Sequence, residues 1–165
     1  DYVESDNPNL SNEFSYDQNV TAGYVSYTAT LFKNYTIKPG IRYEYTTINA
    51  DFKTETTAAD IPSYGTFVPS LNLSRKLANG NMIKASYNRR ISRPSLRYLN
   101  PNIDSSNPLQ VSQGNPELDP EYTDNYELGY STFFKNTMVS FSGFFRNTSG
   151  SIQSIRTVAR ECSRY

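Results

Sequence analysis

The segment YTIKPGIRYEYTTINADF shows the plainest order in the chain. From Ile37 to Thr47 the odd positions read Ile, Pro, Ile, Tyr, Tyr, Thr, and the even positions from Lys38 read Lys, Gly, Arg, Glu, Thr. Alternation with a period of two predicts a strand with one apolar, aromatic face and one charged face. The same alternation recurs downstream. Phe67, Pro69, Leu71 and Leu73 alternate with Val68, Ser70, Asn72 and Ser74; Ile83, Ala85 and Tyr87 alternate with Lys84, Ser86 and Asn88. Tyr126, Leu128 and Tyr130 alternate with Asn125, Glu127, Gly129 and Ser131, and Val139, Phe141 and Phe145 alternate less cleanly with Ser140, Ser142 and Phe144. The first run, Phe14 to Leu31, is strand-like in its Tyr, Val and Thr content, but its apolar face switches near Gly23 and Tyr24, which predicts a β-bulge.

The connections fall into two classes that alternate along the chain. FKN at 32–34, ANGN at 78–81 and KN at 135–136 are short and polar, as hairpin turns are. Residues 53–63 and 92–121 form long links, the second rich in Pro, Asn and Ser. Tight turns at one end and long loops at the other is the asymmetry of outer-membrane barrels. Several runs reach the ~9–11 residues of a tilted membrane strand, where globular strands stop near ~5–6. The expected fold is all-β: an antiparallel meander of about six long strands, with residues 1–165 an incomplete segment of a transmembrane β-barrel. Its open edges would pair with further strands, and the piece alone would associate through them. Alternation by itself also fits a soluble sheet whose polar face is wet.

Composition narrows the chemistry. With 36% hydrophobic residues and mean hydropathy -0.64, the chain is poorly suited to a thick central core. Its 14 Tyr and 9 Phe, without Trp, suit a boundary that is wet on one side and apolar on the other. Lys plus Arg (16) balance Asp plus Glu (16), so no field favours nucleic acid. The absence of His and the single Cys, Cys162, remove the commonest general base, the commonest zinc ligand and any internal disulfide. No enzyme, metal or cofactor is expected. No run approaches the ~20 apolar residues of a membrane helix, so spanning falls to strands. The start, DYVESDNPNL, lacks the pattern of an export signal, which is expected upstream.

Candidate site residues follow from the alternation. Lys38, Arg42, Glu44, Asn72, Lys84, Asn88, Asn125 and Glu127 lie on the polar faces of their runs and would face a barrel lumen. Arg89, Arg90, Arg93 and Arg97 cluster where the long link begins, and Glu117, Asp119, Glu121 and Asp124 return toward the same end. The two groups are expected to pair and anchor the loop, in preference to capturing an anionic ligand. The steps Asn100-Pro101, Asn107-Pro108, Asn115-Pro116 and Asp119-Pro120 keep that loop extended between turns. Glu44, Glu55 and Asp60 have no calcium-loop spacing. The Asn-x-Ser/Thr matches at Asn19, Asn34, Asn72 and Asn147 are what chance yields in a chain so rich in these residues.

SYNRRISRPSLRYLNP at 86–101 and GNPELDPEYTDNYELGY at 114–130 carry a family likeness. They resemble the barrel signature of TonB-dependent receptors and related outer-membrane barrel proteins, especially the Bacteroidetes type. FSYDQNVTAGYVSY, PGIRYEYT and FVPSLNLSRKL precede them in the family's usual order, so the likeness covers most of 14–145. It implies a C-terminal barrel segment of an importer in the bacterial outer membrane, in contact with outer-membrane lipid. The importer's plug contacts the TonB complex, and its substrate is a small molecule, glycan or peptide. The rival readings are a soluble β-sandwich that binds carbohydrate through Tyr, and a structural or adhesive surface protein without transport.

Overall fold

A computed structural model describes residues 14–52, 62–101, 103–107 and 110–157. The strands are β1 (Phe14–Ser26), β2 (Ala29–Leu31), β3 (Tyr35–Phe52), β4 (Tyr64–Lys76), β5 (Met82–Ser92), β6 (Asp104–Asn107), β7 (Gln110–Ser112), β8 (Glu121–Phe134) and β9 (Thr137–Ser149), with a single helical turn, α1 (Leu96–Leu99). One antiparallel sheet runs β1-β3-β4-β5-β8-β9, with β2 also on β3, and β6 and β7 form a separate two-stranded ribbon. The meander expected from the alternation is therefore the fold, an open sheet of the kind an incomplete barrel forms. The long strands have 11 to 18 residues.

Register carries the alternation of single strands into continuous rows. Ile37 is opposite Leu73, Leu73 opposite Ala85, Ala85 opposite Leu128 and Leu128 opposite Gly143. On either side of this aliphatic band the same face is aromatic. Tyr43 packs on Phe67 at 4.9 Å, and Tyr126 on Tyr87 at 5.0 Å and Phe145 at 6.1 Å, toward the long connections. Tyr35, Tyr130 and Phe134 lie toward the turns. From Tyr35 to Tyr43 is eight residue steps, roughly 20 Å along the normal at ~3.3 Å per residue and ~40° tilt, close to the apolar band of a membrane barrel.

Nothing packs on this face among the described residues. Phe67 is 61% exposed and Phe141 64%, and among the described residues the buried apolar side chains, Leu99 and Pro120, belong to the long link and not to the sheet. A β-sandwich would bury these rows between two layers, so the soluble-sandwich reading falls.

The bulge expected near Gly23 and Tyr24 does not occur. β1 pairs with β3 without a shift from Phe14↔Phe52 to Ser26↔Gly40, and β2 continues in the same register from Ala29↔Ile37. The polarity switch has another cause. Val25 and Leu31 share the apolar face with Ile41 and Tyr35, whereas Asp17 and Asn19, of the same parity, lie beyond the aromatic row. The interruption at Tyr27 and Thr28 belongs to Pro39, whose carbonyl accepts the Tyr27 N–H at 3.1 Å but which has no N–H to return.

All three short turns form where expected, at one end of the sheet. Phe32, Lys33, Asn79, Gly80 and Lys135 have positive φ, as hairpin turns in a right-twisted sheet require. Glu55, Asp60 and Cys162, and most of the 53–63 link, lie outside the described residues.

Candidate functional site

The pairings Lys38↔Asn72, Asn72↔Ser86 and Asn88↔Asn125 place the polar rows of four strands on one surface. Lys38, Arg42, Glu44, Asn72, Lys84, Asn88, Asn125 and Glu127 all lie on it, as the alternation expected. An amide ladder crosses three strands: Asn125 Nδ2 donates to Asn88 Oδ1 at 3.1 Å, and Arg146 Nε donates to Asn125 Oδ1 at 3.0 Å. Lys38, Asn72, Lys84 and Glu127 make no side-chain hydrogen bond among the described residues, which leaves them available to water or solute.

Toward the long-connection end the surface closes around Glu44, which is 8% exposed. Arg42 Nε donates to Glu44 Oε1 at 2.6 Å and Arg93 Nη2 to Glu44 Oε2 at 2.5 Å, while Arg93 Nε donates to Thr46 Oγ1 at 3.2 Å. Both carboxylate oxygens are thus engaged by guanidinium groups. Arg42 reaches Glu44 because residues two apart in a strand share a face. Arg93 reaches it from beyond the end of β5, where the chain turns inward over β3. The Tyr64 hydroxyl is buried beside Thr46 and Arg93 without a hydrogen bond of good geometry.

Arg93, Pro94, Leu99 and residues 116–120 return to the long-connection end of this surface, beside Tyr16, Gln18, Ile48 and Tyr64. Leu99 and Pro120 are buried, and with Pro116 and Leu118 they enclose, against Tyr16 and Tyr64, a cavity of about 70 Å3. The loop is cinched where Gly114 N–H donates to Asn100 O at 2.9 Å and Asn115 N–H to Tyr98 O at 2.7 Å. A Cβ on Gly114 would stand 2.5 Å from Asn100 O and 2.6 Å from Tyr98 O, so only glycine fits. Asn115 Oδ1 then accepts the Glu117 N–H at 2.9 Å, an Asx turn that aims Pro116 and Leu118 at the sheet.

The expected loop anchor is corrected by this geometry. Of the two charged groups only Arg89 and Asp124 pair, through Nε to Oδ1 at 2.9 Å and Nη2 to Oδ2 at 3.0 Å, with the Tyr87 hydroxyl donating to Oδ1 at 2.8 Å. That pair joins β5 to β8 and does not tie down the loop. Arg93 anchors the loop, but to Glu44. Among the described residues Arg90, Arg97, Glu117 and Asp119 form no ion pair, and Glu121 accepts the Ile152 N–H at 2.6 Å. Adjacent positions in an extended chain point apart, so a cluster in sequence is split between faces.

Alternation continued past Glu44 reaches Thr46, and the residue opposite Asn125 is Arg146, so both were within reach of the sequence pattern. Thr66 was not. Its Oγ1 lies 3.0 Å from the Tyr122 hydroxyl, above the point where the β4–β5 ladder ends at Ser70↔Asn88. Among the described residues no three acidic, His or Cys side chains converge as metal ligands do.

Comparison with known proteins adds the following. Residues 2–163 match the outer membrane protein beta-barrel family. A search of curated proteins returned no match. Among solved structures the chain is similar to the siderophore receptor PirA from Pseudomonas aeruginosa, with 18% identity over 82% of this chain and a TM-score of 0.46. The match covers 32% of that receptor, so the chain spans about a third of its length.

Proposed function

This chain belongs to the outer membrane protein beta-barrel family and resides in the outer membrane, and we propose that it forms part of the wall, and one cover, of a receptor barrel for TonB-dependent nutrient uptake. In this reading the aliphatic band faces lipid, the polar rows line a water-filled passage, and the short turns are periplasmic. The TonB complex acts through a plug that belongs to the same receptor. The solute is a small molecule, glycan or peptide with groups that amides and guanidinium ions can hydrogen-bond. The chain binds and passes it without chemistry.

The observation that carries this reading is the placement of the 93–120 loop. Its two ends return to the polar surface at the long-connection end, Arg93 on Glu44 and Thr46 and residues 116–120 beside Tyr16 and Tyr64. A loop at the mouth of a passage must cover the passage to control entry. An adhesive or purely structural protein would be served by a loop projecting away from the sheet.

Growth of a host strain on a panel of iron, glycan and peptide sources tests the proposal. Deleting the gene and deleting the inner-membrane energising complex are expected to abolish growth on at least one shared source. Restoration by the wild-type gene but not in the energising-complex deletion completes the expected pattern. A gene deletion whose defects are all independent of that complex would leave the structural reading in its place.

A further inference from the structure

Charge is sorted along the strands as well as between faces. The segments that reach the short turns, residues 26–40, 70–86 and 128–142, contain Lys33, Lys38, Arg75, Lys76, Lys84 and Lys135 and neither Asp nor Glu. Lys38, Lys76 and Lys84 belong to the polar rows. Arg75 belongs to the apolar face, opposite both Tyr35 and Ile83, and Lys33 and Lys135 sit in turns.

A groove of about 470 Å3 opens on the apolar face at this end, lined by Leu31, Phe32, Tyr35, Ile37, Leu73 and Ala85 and ending at Arg75. Sequence explains its shape. Ala85, the small residue between Leu73 and Leu128, leaves its floor low. Phe32 stands out from the turn as a wall, 87% exposed. Arg75 extends over the Tyr35 ring, 4.8 Å from its centroid, and has no ion-pair partner among the described residues. The 32–34 turn adjoins it, because Lys76 N–H donates to Asn34 O at 2.8 Å.

We propose that this groove seats an acyl chain of an anionic glycerophospholipid of the periplasmic leaflet, with Arg75 holding its phosphate. The inference rests on the reading of the turn end as periplasmic. Charge decides the occupant. Any acyl chain fits an apolar groove, but a cationic rim with no carboxylate near it favours a net negative headgroup over a zwitterionic one. An arginine fork offers two parallel donors to a phosphate while its flat face stays on an aromatic ring.

Native mass spectrometry of the full-length protein that contains this chain, in detergent micelles, tests this, with equal amounts of phosphatidylglycerol and phosphatidylcholine of identical acyl chains. The wild type is expected to retain phosphatidylglycerol about five-fold over phosphatidylcholine at low salt. Arg75→Gln removes that preference, Arg75→Lys restores part of it, and Lys135→Gln, remote from the groove, leaves it unchanged. Ala85→Leu raises the floor and lowers retention of both lipids; this arm decides the matter if Arg75→Gln does not fold. Equal retention of the two lipids by wild type, an unchanged preference in Arg75→Gln, or equal losses in Arg75→Gln and Lys135→Gln would each overturn the site. A chain that folds in micelles yet shows no preference defeats this inference alone, whereas one that enters neither micelles nor bilayers defeats the membrane reading with it.

Discussion

Glu44 and Gly114 show how single residues hold the cover in place. Removing Arg93 leaves a nearly buried carboxylate with only Arg42, whose own side chain is 47% exposed. Arg93→Ala is therefore expected to cost about 1–3 kcal/mol in denaturant unfolding of the micelle-folded chain, and Arg42→Ala less than about 1 kcal/mol. Equal costs would show that the two arginines share the carboxylate without a difference in burial. At Gly114 the conflict is steric and lies with backbone, which cannot swing aside as a side-chain tip can. Gly114→Ala should release the 93–120 loop, raising its rate of limited proteolysis at least about ten-fold while the strands stay protected. An unchanged cleavage rate would mean that the loop does not depend on this contact.

At the scale of elements, Pro39 divides what is otherwise one paired strand into β1 and β2. Pro39→Val supplies the missing donor opposite Tyr27 and keeps an apolar side chain on the apolar face. The expected gain is about 0.5–1.5 kcal/mol, with slow hydrogen exchange at the new amide of residue 39. Fast exchange there would show that the gap has a cause other than proline. Periodicity read from the sequence found every long strand and the three short turns of the main sheet, because side-chain alternation and turn residues are local properties; it did not find the β6–β7 ribbon within the long link. It misread β1, because a strand that leaves the apolar band changes polarity without changing register, and the sequence of one strand does not show where the band ends. It misread the arginine cluster for a related reason: the inward turn after Ser92 is fixed by contacts of Leu99, Pro116 and Pro120 with distant strands.

In the receptor reading the sheet is a wall whose two faces meet different media, and neighbouring residues should report this difference. Leu71→Arg puts a charge in the aliphatic band and is expected to cost about 2–4 kcal/mol of folding free energy in liposomes. Asn72→Arg, one position along and on the polar surface, should fold nearly as wild type. If both substitutions were tolerated alike, the apolar rows would not face hydrocarbon.

The six long strands, the three short turns and the division into an apolar and a polar face were legible in the sequence, since each depends on residues close together along the chain; the β6–β7 ribbon was not. The polar set from Lys38 to Glu127 was legible for the same reason. Tertiary structure decided the long-range contacts: it turned Arg93 inward to Glu44, joined Arg89 to Asp124 across strands, and brought Leu99, Pro116 and Pro120 beside Tyr16 and Tyr64. The two ion pairs link residues 35 and 49 positions apart, the loop meets Tyr16 from farther still, and this geometry exists only once the strands are in register.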